Sequence, residues 1–199
     1  MNEAFEKLKS EVLNCRKCPL HASRMNPVFG MGNPGAGIML IGEGPGADED
    51  RQGLPFVGRS GQLLDKILAA CGFNRKEHVF IGNIVKCRPP QNRVPTPSER
   101  STCLPYLMQQ IELIDPKIII LLGSTALHGL IDPEARITRE RGNWREWQGR
   151  LVMPTYHPAA LLRNPNLKKD TWEDFKQVVS KYRELIRSEE RRVGKECVR

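Results

Sequence analysis

The sequence predicts an α/β fold, a parallel sheet with helices on both faces. Two observations carry this. Four short apolar runs, Ile38–Ile41, Val79–Val85, Ile118–Leu122 and Leu151–Met153, have the length and composition of strands buried on both sides. Segments with apolar residues three and four apart lie between them, and strands alternating with helices assemble into a parallel sheet. With 199 residues, 39% hydrophobic and 27% charged, the chain suffices for one well-buried domain.

The first helix is read from NEAFEKLKSEVLN, with Asn2 as its cap and Phe5, Leu8 and Val12 on one face. It runs directly into Cys15 and Cys18. A Gly- and Pro-rich connection leads to the strand Ile38–Ile41 and then to the loop GEGPGADED. Leu63, Leu64, Ile67, Leu68 and Cys71 mark a second helix, ahead of the strand Val79–Val85. A third helix passes through Leu107, Met108, Ile111 and Ile114, and Pro105 is expected to kink or restart it. The strand Ile118–Leu122 follows, and Leu151–Met153 precedes YHPAALLRNP. Functional loops of parallel sheets gather at the carboxyl ends of the strands. Three loops qualify: Gly42–Asp50, Asn83–Arg93 and Tyr156–Pro165.

No run of eighteen apolar residues occurs, and Met1–Ser10 lacks the basic and apolar regions of a signal peptide. A soluble, cytoplasmic, nucleoid-associated protein is expected. The segment RSEERRVGKECVR, Arg187–Arg199, breaks the helical pattern before it, and its codons can be written as the start of a common short-read sequencing adapter. Residues 1–186 are therefore read as the domain and 187–199 as a non-native tail. Without the five bases and three acids of that tail, the formal charge falls from +8 to +6. A basic surface of this kind favours a polyanionic partner.

Six cysteines in a reducing compartment point to metal ligation, catalysis or burial instead of disulfides. Cys15 and Cys18 form a C-x2-C pair; Cys87 follows after sixty-eight residues and Cys103 after fifteen more. Four such thiols can share a zinc ion or a [4Fe-4S] cluster, and spacing does not separate the two. Cys71 lies on an apolar helix face and reads as core, while Cys197 belongs to the tail.

The loop GEGPG after a strand invites a dinucleotide-binding reading, but Gly42, Gly44 and Gly46 give G-x-G-x-G, not G-x-G-x-x-G. Glu43, Asp48, Glu49 and Asp50 crowd the place where a pyrophosphate would sit. Carboxylates at a strand end suit the handling of water or the reading of a base edge.

Three stretches together, GEGPGADEDRQGLPFVGRSGQLLD (Gly42–Asp65), NIVKCRPPQNR (Asn83–Arg93) and HPAALLRNP (His157–Pro165), with the C-x2-C, resemble the family 4, iron-sulfur uracil-DNA glycosylases. The similarity runs from about Glu3 to about Ile186. The resemblance implies a three-layer α/β/α sandwich on a four-stranded parallel sheet and a [4Fe-4S] cluster on Cys15, Cys18, Cys87 and Cys103. It further implies hydrolytic removal of uracil from DNA, leaving an abasic site, by a monomer with no membrane attachment. A sliding-clamp partner is left open.

Such an enzyme must extrude its base from the duplex. Phe56 resembles the residue that stacks on the flipped uracil. Asn83 carries the donor and acceptor needed for O4 and N3–H. His157 resembles the donor to O2, where charge develops as the glycosidic bond breaks. Glu43 and Glu49 are candidates for holding water, with Asn92 as the partner of Glu49. Arg163 and the rest of LLRNP resemble the wedge that fills the gap in the stack. Gly44, counted with the substrate-binding positions, stands where better-known uracil-DNA glycosylases have an aspartate. No histidine occurs between His78 and His128, where a covalent-trapping relative carries one, so turnover by hydrolysis is expected. The alternatives are a non-catalytic, metal- or cluster-stabilised nucleic-acid-binding module and, less favoured by the acidic loop, a nucleotide-binding enzyme.

Overall fold

The computed structural model describes residues 3–196, with side chains described through residue 188. In chain order the elements are α1 (Glu3–Leu13), β1 (Met31–Gly32), β2 (Ile38–Gly42), α2 (Ala47–Gln52), α3 (Arg59–Ala70), β3 (Val79–Asn83) and α4 (Pro97–Ile114). These are followed by β4 (Ile118–Leu122), α5 (Ser124–Leu130), α6 (Ile137–Glu140), β5 (Arg145–Trp147), β6 (Arg150–Thr155), α7 (Pro158–Arg163) and α8 (Leu167–Glu196). Asn2, expected to cap α1, lies outside the described residues.

One six-stranded sheet has the order β1-β3-β2-β4-β6-β5. Its four inner strands are the four apolar runs and are mutually parallel. To this the structure adds two short antiparallel edges, β1 on β3 and β5 on β6. At two and three residues these edges are too short for a period-2 pattern to mark them.

Alternation along the strands assigns the two cores. Met39 and Ile41 of β2, with Ile119 and Leu121 of β4, pack on α1, α4 and α5 through Phe5, Leu8, Val12, Leu107, Ile111 and Leu127. Ile38, Leu40, Ile118 and Ile120 face the other way, onto α3 and α8 through Leu64, Leu68, Phe175 and Val178. Sheet and two helical layers make the expected sandwich. Among the described residues no helix is long and apolar enough to cross a membrane.

Three local expectations are corrected. Pro105 does not restart its helix: α4 runs unbroken from Pro97 to Ile114. Ser101 and Pro105 both lie on the exposed side, so the carbonyl that loses its donor faces water. The strand ending in Asn83 is shorter than Val79–Val85, yet Ile84 and Val85 stay buried and donate their amides to the carbonyls of Gly42 and Glu43 at 2.9 and 3.1 Å. Those bonds stitch two functional loops together. Finally, α8 continues through Arg187 to Glu196, where a break in the helix was expected. Extending an existing helix needs no new nucleus, so polar residues can continue it without an apolar face. Cys197, assigned to the tail, lies outside the described residues.

Candidate active site

A cleft of about 570 Å³ opens at the carboxyl end of the parallel strands. Its wall is made by the residues at or just past each strand end: Glu43 after β2, Asn83 closing β3, Thr125 after β4, and Tyr156 and His157 after β6. This is where loops from parallel strands converge.

His157 caps α7, its Nδ1 accepting the amide of Ala159 at 3.1 Å. With Nδ1 occupied as an acceptor, the neutral ring carries its proton on Nε2. Burial pushes the imidazole pKa down to about 4, the Arg163 charge pushes the same way, and Glu49 opposes them. The ring is thus a neutral donor over the whole range above that value. It lies 5.4 Å from the ring of Phe56, tilted by 32°.

Asn83 is 2% exposed, and its Oδ1 has no hydrogen-bond partner among the described residues. A buried acceptor left in this state costs about 1–3 kcal/mol unless a ligand completes it. Gly42 makes the approach possible: a Cβ there would stand 2.6 Å from Asn83 Oδ1 and 2.7 Å from Phe56 Cζ. Phe56 sits at φ 52°, and Gly61 below it leaves room for its carbonyl, which a Cβ would meet at 1.9 Å.

The four acids of the glycine loop divide by contact. Asp50 accepts the amides of Met25 and Asn26 at 2.9 and 3.3 Å, and Asp48 pairs with Arg51. Glu49 accepts three backbone amides, Gly46 at 3.1 Å on Oε2, and Val57 and Gly58 at 2.9 Å each on Oε1. It belongs to the frame of the cleft as much as to its lining. Glu43 is partly exposed in the cleft, and its Oε2 accepts from the hydroxyl of Thr125. Gly44 also lines the cleft, where a Cβ would meet Val85 Cγ2 at 2.7 Å, so even a small side chain is crowded there.

Asn92 and Arg163 are on the cleft wall as expected, but the Asn92 Oδ1 accepts from Arg88 Nε at 2.8 Å and does not engage Glu49. Glu49 already accepts three main-chain amides, two on Oε1 and one on Oε2. All eight of the non-cysteine positions singled out from the sequence therefore line one cleft.

The sequence model of the uracil DNA glycosylase superfamily matches residues 29–176. The chain belongs to that superfamily. It is 46% identical over 182 residues to the type-4 uracil-DNA glycosylase of Thermotoga maritima, covering 89% of this chain and 94% of that one. To the type-4 uracil-DNA glycosylase of Sulfurisphaera tokodaii it is 45% identical over 184 residues, 88% and 84% of the respective chains. It is also 37% identical over 149 residues to part of a Bacillus phage SP01 DNA polymerase, covering 75% of this chain and 16% of that protein.

In this member of the uracil DNA glycosylase superfamily Cys15, Cys18, Cys87 and Cys103 line a single small cavity, although they come from three separate segments. Among the described residues no group of three or more His, Cys, Asp or Glu is arranged to hold one metal ion. A zinc ion draws its sulfurs to about 2.3 Å. An iron-sulfur cluster interposes its own body, so its thiolates stand farther apart than those around a single ion. Two of the sulfurs already take N–H donors, Cys87 from Arg24 Nη1 at 2.8 Å and Cys103 from the Lys86 amide at 3.3 Å, the kind of bond that surrounds cluster thiolates. The four residues fit a cluster. Cys71 is buried against the other core, as its position on an apolar helix face predicted.

Two residues that sequence reading passed over connect these features. Lys86, 1% exposed, donates its ammonium to the Asn83 carbonyl at 2.9 Å and to Gln110 Oε1 at 2.6 Å, while its amide meets Cys103. Burial pushes its pKa down to about 8. Thr125 was equally silent, since a threonine at a helix start looks like capping chemistry; the signal was its place just past a strand end.

Proposed function

We propose that this protein removes uracil from DNA by hydrolysing the N-glycosidic bond, which leaves an abasic site. The observation that carries this reading is the buried Asn83 Oδ1 with no partner among the described residues, in a cleft shared with a neutral His157. Uracil N3–H completes that acceptor, and the amide nitrogen donates to O4. Cytosine offers an amino group and a bare ring nitrogen at those positions, so both contacts fail.

The extruded base stacks on Phe56. As the C1′–N1 bond breaks, its electron pair moves onto the base, and the Nε2–H of His157 stabilises the charge gathering at O2. The sugar acquires oxocarbenium character and is captured by water. Glu43 holds that water: Thr125 occupies one of its oxygens, whereas Glu49 is committed to three amides. The water oxygen bonds to C1′, Glu43 takes one proton, and uracil leaves as an anion that is protonated later. Arg163, at the exposed end of α7, meets the DNA backbone beside the gap.

Cys15, Cys18, Cys87 and Cys103 hold a [4Fe-4S] cluster, whose bound form supplies covalent ties between the N-terminal segment, the loop after β3 and α4. The catalytic unit is residues 1–186.

The test is incubation with an end-labelled uracil oligonucleotide, then alkali. Scission at uracil, absent from a thymine control, is expected. DNA binding without scission would leave a non-catalytic module. Protein prepared without oxygen should contain iron and absorb broadly at roughly 400 nm; stoichiometric zinc without iron would overturn the cluster.

A further inference from the structure

We propose that Val94 is a second apolar wedge, pressing on the base step beside the extruded nucleotide from the lip of the cleft opposite Leu162. This rests on the glycosylase reading above. Val94 lines the cleft yet is 61% exposed, a costly position for a branched apolar side chain.

The segment bearing it is not a loose loop. Buried Pro89 and Pro95 anchor its two ends. Gln91 and Asn92 hold φ of 55° and 56°, and the Asn92 and Arg93 amides close back onto the carbonyls of Pro89 and Pro90 at 3.1 Å each. Arg93 then forks onto Glu99 at 2.8 and 2.7 Å, and Glu99 also accepts the Thr96 amide at 2.8 Å to start α4. The chain thus fixes Val94 in water before any ligand arrives, and the ordering entropy is spent during folding.

Its position is set by strand order. Val94 follows β3 and Leu162 follows β6, with β2 and β4 between them. Three strand spacings separate the two lips by roughly 14 Å at the sheet. Leu162, 39% exposed and next in sequence to the cleft-lining Arg163, is the exposed apolar residue of the segment that follows β6. Extrusion of a base opens a gap that apolar side chains fill in DNA-bending proteins, offsetting the unstacking. A side chain on each lip grips the distorted duplex on both sides of the gap. That help matters most where a base pair has to be broken, and least on a single strand.

The experiment compares single-turnover excision from a U·A duplex and from the same uracil strand alone, for the unmodified protein, Val94→Ala and Val94→Leu. Loss of two methyls from a buried contact lowers the duplex-to-single-strand rate ratio roughly tenfold in Val94→Ala, and Val94→Leu restores it. Fluorescence of 2-aminopurine next to the uracil should show the same order for duplex distortion. Thermal melting of Val94→Ala should match that of the unmodified protein, since the side chain has no core contact to lose. An unchanged ratio in Val94→Ala, or an equal fall on both substrates, overturns the wedge. Failure of the unmodified protein on both substrates instead refutes the glycosylase reading on which it rests.

Discussion

His157 and Ala159 are joined by a hydrogen bond in which the imidazole Nδ1 accepts the Ala159 amide at 3.1 Å. The bond ties the start of α7 to the charge state of the ring, since a proton on Nδ1 would abolish it. His157 has a pKa near 4, against an ordinary value of 6.5. Between those two values the unfolded chain binds the extra proton and the folded one does not, so stability rises with pH across that window. It is complete above about 6.5 and falls away as the pH drops toward 4. The excision rate should accordingly show no histidine inflection near 6.5, and a single-turnover pH–rate profile of the unmodified protein checks this. An inflection at 6.5 that disappears in His157→Ala would contradict the assignment.

Replacing His157 by alanine removes a donor whose bond strengthens as charge reaches O2. The expected loss in single-turnover excision is about a hundredfold or more, close to 3 kcal/mol, with far less effect on affinity for uracil-containing DNA. Rapid-quench rates beside fluorescence-anisotropy titrations separate the two. A parallel loss of affinity would place His157 in binding alone.

Asn83→Leu should abolish excision and make the protein more stable. The substitution removes a buried acceptor with no partner among the described residues and keeps a similar volume, so a gain of about 1 kcal/mol in unfolding free energy is expected. Urea titration of the variant gives the answer. A destabilised variant would mean that the amide already has a partner or that the space cannot take a branched side chain.

Thr125→Val keeps the shape of the side chain and deletes the hydroxyl that Glu43 accepts from. With one oxygen released, the carboxylate can turn from the water; excision should fall about tenfold, and Glu43→Gln should cost roughly a hundredfold. Thr125→Ser should recover most of the rate. If the double variant is worse than Glu43→Gln alone by the full effect of Thr125→Val, the two residues act separately.

Truncation after Ile186 should change neither melting temperature nor excision. Among the described side chains of α8, Phe175 and Val178 are the buried apolar residues, and Leu185 is the last one packed against that core. Ile186 itself is 37% exposed. A truncated protein with weakened DNA binding would show that the helical extension takes part in the interface.

The sequence by itself determined the four parallel strands, the apolar faces of α1 and α3, and the three loops that build the cleft. These depend on the period of apolar residues and on glycine and proline chemistry, which are local. Asn83, His157 and Glu43 were singled out through the motifs that resemble the family 4 uracil-DNA glycosylases, and their places at strand ends bring them to one cleft. Only the tertiary structure decided that Thr125 meets Glu43 across eighty-two positions, that Lys86 connects Asn83 to Cys103, and that Asn92 turns to Arg88 instead of Glu49. It alone showed β1 and β5, too short to carry a pattern, and an α4 that continues through Pro105 because that residue faces water. Partner choice and proton affinity follow from distance and burial among residues far apart in the chain. The 2% exposure of Asn83 and the lowered pKa of His157 are produced by the packed fold around them, and no spacing of letters encodes that desolvation.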